Sequence, residues 1–297
     1  MSGLAVLLAL SVPGGIFAAQ EKLTHSFLAM GATTYIVSGD GKIEWTYPLG
    51  TRDGWVLPDG HLLLTLSKCD QYPGGGVVEV TREGKVLFEY KGTQSEVNTS
   101  QKLPNGRILL AEAGPNPRLL EVDVKGNVAL TIPLICQTTN HHMQNRMTRK
   151  LANGNYLVPQ LLDQVVREYT PEGKVVWEVK TPNWPFTAIR LSNGHTLINC
   201  TMGNLIIEVD PGGKTVWQLS NDDLPKPLIS DACGGQRLPN GNTVFTSYHI
   251  GADRTKLIEV TPDKRVVWTY TDDKKDGIHE FQILDTNGKP LNGPAMR

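Results

Sequence analysis

The sequence predicts an all-β protein, a six-bladed β-propeller with four antiparallel strands in each blade. Three observations predict this fold. A Leu-x-Asn/Asp-Gly turn returns along the chain, a second strand-turn-strand pattern lies between its copies, and the two patterns together repeat every 40 to 48 residues. A repeat of that length, with four short strands in each unit, is typical of a propeller blade.

The first pattern is a turn between two short apolar runs. It reads LPDGHLLL, LPNGRILL, LANGNYLV, LSNGHTLI and LPNGNTVF, and it returns in degenerate form as LDTNGKPL. Asn-Gly or Asp-Gly between apolar runs is the strongest short-range hairpin signal, because a tight primed turn needs a positive φ. We expect these hairpins to form the first two strands of each blade. Their glycines are Gly60, Gly106, Gly154, Gly194, Gly241 and Gly288.

The second pattern is another strand, turn and strand, as in IIEVDPGGKTVWQL. Proline and glycine at its centre fit a tight reversal of the chain. Residues that recur in every blade are best explained by packing between blades rather than by chemistry. They form two sets, a bulky residue after the turn (Trp45, Phe88, Leu130, Trp177, Trp217 and Trp268) and a glutamate in the third strand (Glu79, Glu121, Glu168, Glu208 and Glu259).

Five blades are complete in the sequence, and the sixth is divided between the two ends of the chain. Residues 34–47 carry only the second hairpin of a blade, and residues 280–291 carry only the first. We expect these N-terminal and C-terminal hairpins to share one blade. Such sharing closes the ring and protects sheet edges that would otherwise pair with other chains.

The first residues contain an apolar run, LAVLLAL over residues 4–10, followed by chain breakers and two alanines. A membrane-spanning helix needs ~20 apolar residues, whereas this shorter run fits the core of a secretory signal. We therefore expect a signal peptide over residues 1–19, a single propeller domain over residues 24–297, and a periplasmic or secreted protein without a membrane span. A buried N-terminal strand is the alternative.

The charge balance and the cysteine spacing argue against nucleic-acid binding and against a metal site. The chain has 29 Lys and Arg against 30 Asp and Glu, which argues against a nucleic-acid binder because such proteins carry a basic excess. Cys69, Cys136, Cys200 and Cys233 show no metal-ligand spacing, so no metal is predicted. In an exported protein they permit either two disulfides or four free thiols. We expect a monomer.

Binding residues are expected on one face of the ring. Both tight hairpins of each blade lie on the same face, so the remaining loops and the crossings between blades share the opposite one. Loops on a rigid scaffold commonly carry binding residues, and the single-copy polar residues concentrate in these segments. The ligand-binding candidates are Arg52, Asp53, Asn98, His141, Asn145, Arg146, Trp184, Asp231, His249 and Glu280.

Two histidines are candidate catalytic residues. His142 lies in the crossing CQTTNHHMQNRMTRK, and His279 lies in the crossing into the closing blade. Imidazole titrates near neutral pH and can transfer protons. Together with arginine, asparagine and aspartate side chains, these histidines predict a site for an anionic or sugar-like ligand. The alternative is that the polar groups bind water and backbone around an ordinary funnel.

The unit LPNG-x-T-L-I followed by I-I-E-V-D-P-x-G-K-x-V-W resembles pyrroloquinoline-quinone-type propeller repeats and, more closely, the six-bladed propeller of bacterial arylsulfotransferases. The resemblance covers residues 34–291. It implies a periplasmic or secreted, quinoprotein-like propeller. In the arylsulfotransferase family a funnel histidine carries the sulfate, a role that would fall to His142 or His279 here. Quinone enzymes of this type usually have more blades and a vicinal cysteine pair, which this chain lacks. We therefore expect no quinone and no other cofactor.

Three functions remain open on the sequence alone. The first is a non-catalytic propeller that binds a small molecule, a glycan or a protein partner on the loop face. The second is an enzyme, either an arylsulfotransferase-like transferase or a hydrolase or lyase on anionic or carbohydrate substrates, which uses the funnel histidines. The third is a scaffold for protein interactions, which would present a flat apolar loop face.

Overall fold

A computed structural model describes residues 23–251, 253–291 and 296–297. The predicted signal peptide, residues 1–19, lies outside these residues. The described chain is almost entirely β-structure, arranged in six antiparallel sheets. The predicted six-bladed propeller is thereby confirmed. Within the described residues, no helix has the length and apolarity needed to cross a membrane.

The first three blades follow one another along the chain. Blade 1 contains β4 (Thr51–Val56), β5 (Leu62–Leu66), β6 (Gly76–Val80) and β7 (Val86–Lys91). Blade 2 contains β8 (Glu96–Lys102), β9 (Ile108–Ala113), β10 (Arg118–Val122) and β11 (Val128–Pro133). Blade 3 contains β12 (Arg149–Lys150), β13 (Tyr156–Gln160), β14 (Val165–Tyr169) and β15 (Val175–Lys180).

Two more complete blades precede the closing blade. Blade 4 contains β16 (Pro185–Arg190), β17 (Thr196–Cys200), β18 (Leu205–Val209) and β19 (Thr215–Leu219). Blade 5 contains β20 (Gly235–Arg237), β21 (Thr243–Thr246), β22 (Arg254–Val260) and β23 (Val266–Asp272). The connections include four single 3-10 turns at His141–Met143, Thr201–Gly203, Asn221–Asp223 and Tyr248–Ile250.

The closing blade combines both ends of the chain, as predicted, but in a different division. It contains β1 (His25–Met30), β2 (Thr34–Val37), β3 (Ile43–Tyr47), β24 (Glu280–Thr286) and β25 (Lys289–Pro290), in the order β25-β24-β1-β2-β3. The N-terminal part therefore supplies three strands rather than two. The fully buried β1 occupies the place beside β24 that the prediction had given to the C-terminal hairpin. Residues 25–30 were missed because no Asn-Gly turn marks them.

The Asn/Asp-Gly hairpins form at the predicted places, but only the last of them has a primed turn. In the first one, the Gly60 N–H donates to the Leu57 carbonyl oxygen at 2.9 Å, and the Leu57 N–H donates to the His61 carbonyl oxygen at 2.8 Å. Only the glycine has a positive φ, of 85°, which makes this a type I turn followed by a left-handed glycine in a bulge. The other complete blades also have a positive φ at the turn glycine alone. In the closing blade Asn287 and Gly288 have φ values of 51° and 71°, as a type I′ turn requires.

The hydrophobic core lies between blades, in one apolar cluster at each of the six interfaces. The recurring tryptophans connect neighbouring blades there. The indoles of Trp45, Trp177 and Trp217 each donate to a turn carbonyl oxygen of the next blade, at 2.8–2.9 Å. The recurring residues are therefore architectural, as the sequence indicated.

Each recurring glutamate also pairs with a basic residue of the following blade. The pairs are Glu79 with Lys102, Glu121 with Lys150, Glu168 with Arg190, Glu208 with Arg237 and Glu259 with His25. The last interface, between the closing blade and blade 1, has Ile36 in the position of the glutamate. The partner is Lys or Arg at four interfaces, and at the fifth it is a histidine on β1.

Candidate functional site

The crossing from blade 2 to blade 3 carries part of a polar side-chain cluster on the loop face. Gln144 fixes this crossing in place. Its Oε1 accepts from the Gly114 N–H at 2.8 Å, and its Nε2 donates to the carbonyl oxygens of Gly114 and Thr138. The anchored crossing presents His142 and Arg146 to residues from blades 1, 2 and 6. We call this cluster the funnel site and define it by Arg52, Glu96, His142, Arg146 and His279.

Glu96, at the start of β8, is the anionic centre of the funnel site. Its carboxylate lies 3.0 Å from His142 Nδ1, 3.1 Å from Lys68 Nζ and 3.3 Å from Arg52 Nη2. Burial opposes ionisation, but the hydrogen bond from His142 and the charge of Arg52 outweigh it and lower the pKa of Glu96 to about 2. Glu96 is therefore ionised at neutral pH and holds the side chains of Arg52 and His142 in place.

Arg146 is buried without an ionic partner among the described residues. Its side chain is 1% exposed. Nη1 donates to the carbonyl oxygen of Asn145 at 2.8 Å, and Nε has no hydrogen-bond partner. Burial, together with the charge of Arg52, lowers the pKa of Arg146 to about 9, so the guanidinium is still charged at neutral pH. An uncompensated buried cation is energetically costly.

His279 forms the buried side of the site. Its Nδ1 lies 3.4 Å from the Arg52 carbonyl oxygen, and its ring meets those of Phe186 and Tyr248 edge-on, with centroids 4.6 and 5.2 Å away. Burial and the charges of Arg146 and Arg52 hold its pKa well below the usual range, so the imidazole is neutral. The tautomer that donates from Nδ1 to this carbonyl leaves Nε2 as a free base.

Both candidate catalytic histidines thus belong to one site, because each is connected to Arg52. His279 is joined to its carbonyl oxygen, and His142 is joined to its guanidinium through Glu96. An apolar wall continues from these residues. It consists of the buried Met147, Leu161, Phe186 and Cys233 and the partly exposed Met143, Trp184 and Tyr248.

Two other predicted ligand-binding residues lie in the central channel, where protein groups already bind them. Asp53 accepts hydrogen bonds from Arg149 at 2.7 Å, from Thr99 at 2.6 Å and from Arg297. Burial opposes its ionisation, but the charges of Arg149 and Arg297 lower its pKa to about 2. Glu280 has few such partners, and burial raises its pKa to about 7.

The remaining candidates lie around the funnel site in structural roles. Asn98 and Asn145 are fully buried, and Asn98 Nδ2 donates to the Asn145 carbonyl oxygen at 3.1 Å. His141 Nδ1 lies 2.8 Å from Ser95 Oγ at the rim. These contacts fix the crossings, although Asn98 Oδ1 is buried without a hydrogen-bond partner.

Asp231 and His249 form a separate hydrogen-bonded pair beside Tyr248. Asp231 has a positive φ of 56°, and its N–H donates to Asn204 Oδ1 at 2.8 Å. The His249 ring lies 4.4 Å from that of Tyr248. The pair therefore adjoins the funnel site but is not one of its five residues.

Sequence reasoning missed Glu96, although a signal for it existed. The residue lies two positions before Asn98, in the crossing that enters blade 2, and no other blade repeats it. Single-copy polar residues on crossings are the ligand-binding candidates of the sequence. Glu96 meets that criterion as well as Asn98 does.

Other polar groupings in the described residues are already satisfied. Asp59, His61 and Glu79 bring ligand atoms within 4.8 Å of one another on the turn face, but Glu79 is paired with Lys102. A groove of about 1150 Å³ lies between β23 and the first strands of the closing blade. In that groove His25 is paired with Glu259 at 2.6 Å. All four cysteines are free thiols.

Several solved structures share this fold. A protein of unknown function from Bacteroides caccae is 24% identical, with a TM-score of 0.77 over 91% of this chain and 100% of its own. A catalytically inactive histidine-to-alanine variant of virginiamycin B lyase from Staphylococcus aureus, solved with quinupristin, is 14% identical, with a TM-score of 0.61 over 88% and 92% of the two chains. A streptogramin B lyase is 15% identical, with a TM-score of 0.59 over 89% of each chain.

At these identities the likeness shows the fold alone. No family model matches the chain, and no curated protein matches it in sequence. The six-bladed propeller contained in the predicted resemblance is confirmed. The finer likeness to quinone-type or arylsulfotransferase repeats stays a prediction, and so does the expectation of no quinone.

Proposed function

We propose that the protein binds a small anionic molecule in the funnel site. The observation that carries this proposal is Arg146, a buried guanidinium with no carboxylate to pair with in the described chain. A bound anion would supply the missing charge, and the planar donor fork of arginine suits a carboxylate. Arg52, which shares Glu96 with Lys68 and His142, provides a second cation beside it.

The site favours a small ligand over the alternative of a scaffold for protein interactions. A scaffold would present a flat and apolar loop face, whereas here buried charged side chains converge on that face. A glycan is less well supported than an anion. Phe186 and Tyr72 are each 3% exposed and offer no open face to a sugar ring, so only the partly exposed Trp184 and Tyr248 could stack on one.

The experiment measures anion binding by ligand-observed NMR, using carboxylates of several sizes and the variant Arg146→Met. We expect the wild type to bind at least one carboxylate and the variant to lose that binding. The matched control is Arg265→Met, because Arg265 is an exposed arginine whose side chain is 72% accessible. Equal binding by wild type and Arg146→Met would contradict the proposal.

A second candidate function is acid–base catalysis on the bound anion, with His279 as the base. The specific observation is a neutral imidazole beside two guanidinium groups, with Nε2 free in the Nδ1–H tautomer. The likeness in fold to a lyase that one histidine substitution inactivates is consistent with this idea. Half-exposed His142, held by Glu96, could return a proton from solvent.

The catalytic candidate is tested by incubating the protein with quinupristin, the compound solved with the neighbouring lyase, and following its consumption by liquid chromatography with mass spectrometry. We expect any turnover to be lost in His279→Gln and kept in Arg265→Met. Turnover that survives His279→Gln would exclude this base.

The localisation of the protein is a separate proposal. The apolar run of residues 4–10 supports an exported protein, periplasmic or secreted.

A further inference from the structure

The cationic part of the funnel site adjoins an apolar wall, and the two share residues. Phe186 touches both, because its ring centroid lies 5.8 Å from the Arg146 guanidinium and 4.6 Å from the His279 ring. Around it pack Met143, Trp184 and Tyr248, which are all partly exposed. A molecule bound by Arg146 would therefore have apolar and aromatic side chains along one side.

The charges of the site suit a ligand with a single negative charge. Arg146 is unpaired, whereas Arg52 and Lys68 are already partly neutralised because both contact Glu96. His279 and its neighbours Phe186 and Tyr248 bring no further charge to the buried side, since this imidazole is neutral. One carboxylate would balance Arg146, and a second anionic group would meet the ionised Glu96.

We infer that the ligand is a hydrophobic monocarboxylate, whose carboxylate pairs with Arg146 and Arg52 and whose flat apolar body packs on Met143, Trp184 and Tyr248. This inference rests on the proposed anion-binding function and names its ligand class. The site has both cationic and apolar side chains, so the ligand needs both its carboxylate and its apolar body. Apolar contact supplies affinity in proportion to buried area, and the buried cation rejects the uncharged analogue.

The test compares four probes by ligand-observed NMR, which measures dissociation constants into the millimolar range. They are acetate, phenylacetate, 2-phenylethanol and phenyl phosphate. We expect phenylacetate to bind about tenfold or more tightly than acetate, because the ring buries apolar area. We also expect it to bind more tightly than the uncharged alcohol and the doubly charged phosphate.

Two variants locate the apolar contact. Trp184→Ser and Met143→Ala should weaken phenylacetate binding severalfold and leave acetate binding unchanged. The matched control is Met202→Ala, because Met202 is an exposed methionine in the loop between β17 and β18 on the same face, at 53% exposure. Circular dichroism and thermal melting establish that each variant is folded before its binding is compared.

The outcomes separate this inference from the proposed function. If acetate and phenylacetate bind equally and both are lost in Arg146→Met, anion binding stands and the hydrophobic class is overturned. If 2-phenylethanol or phenyl phosphate binds as tightly as phenylacetate, the monocarboxylate class is overturned. If no carboxylate binds, or if Arg146→Met binds as the wild type does, both proposals fail.

Discussion

Two buried arginines, three residues apart, have opposite electrostatic surroundings. Arg149 lies at the start of β12, and both its Nη atoms donate to the Asp53 carboxylate, at 2.7 and 3.1 Å. Arg146 precedes it in the crossing and has only a backbone carbonyl oxygen as acceptor in the described chain. Breaking a buried ion pair is strongly destabilising, whereas removing an unpaired buried charge relieves a cost. The two residues therefore have different tasks, stability for Arg149 and binding for Arg146.

This difference predicts the effect of Arg146→Met on the protein without ligand. The variant should gain about 1–3 kcal/mol in free energy of unfolding, because methionine fills the same apolar surroundings without a buried charge. Chemical denaturation at pH 7 measures the change.

Arg149→Met is the matched control and should lose about 3 kcal/mol or more, since Asp53 would be left partly unpaired. If both variants lose stability to a similar extent, Arg146 is a structural residue and its role in binding is contradicted.

The sequence predicted where the polar side chains cluster, but not which of them are already paired with other residues of the protein. It placed His142, His279, Arg52 and Arg146 on one face, and the structure brings all four together. It also included Asp53, whose partner Arg149 belongs to a blade that is not its neighbour in the ring. Pairing across the ring depends on distances that no repeat pattern contains.

The third strands of the blades show how one repeated residue fastens the ring together. Glu121, on β10, is 2% exposed and accepts a hydrogen bond from Tyr156 Oη at 2.6 Å and from Lys150 in the next blade. Four other blades have a glutamate at the same position, and each pairs with a basic residue of the next blade. A charged hydrogen bond out of solvent contributes more than an exposed ion pair does.

We therefore predict that Glu121→Gln lowers the free energy of unfolding by about 1–3 kcal/mol. The amide keeps the shape of the side chain but loses the charge that attracts Lys150. Denaturant titration measures the loss.

Asp40→Asn removes the carboxylate of an exposed pair, Asp40 with Lys42, whose side chains are 57% and 81% accessible, and should cause no measurable change. Equal effects of the two substitutions would mean that the glutamates between blades do not hold the ring together.

At the element scale, strands were predictable wherever a glycine turn marked them. The five complete blades follow the two patterns closely. The closing blade does not follow these patterns. Its strand β1 is buried beside β24, and no glycine turn pattern marks it in the sequence. A strand whose only signal is an apolar run cannot be assigned to a blade without its partner.

For the whole molecule, the polar groups of the central channel link blades that are not neighbours. Arg149 of blade 3 binds Asp53 of blade 1, and Thr187 Oγ1 of blade 4 lies 3.4 Å from Glu280 of the closing blade. Glu280 is fully buried and holds its proton more tightly than it would in the unfolded chain.

This predicts a pH dependence of stability. Glu280 has a pKa of about 7 when folded, against 4.5 in the unfolded chain. The folded state therefore binds more protons between these values, and the contribution of this group falls as the pH rises from about 4.5 to 7, by roughly 3 kcal/mol. His279 has a lowered pKa, so the folded state binds fewer protons there than the unfolded chain does. Its contribution to stability therefore rises as the pH rises toward 6.5.

Comparison with Glu280→Gln isolates the glutamate. The variant should lack this decline and should be more stable than the wild type above pH 7, as measured by thermal melting from pH 5 to 8. The same pH profile in both proteins would show that Glu280 does not titrate in this range.

The network around Asp53 has a consequence for how the ring comes apart. Arg149, Arg297 and Asp53 are each at most 6% exposed, and Asp53 pairs with both arginines. Separating blade 1 from blade 3 would leave these buried charges without their partners, which is strongly destabilising. We therefore expect the blades to unfold together rather than one at a time.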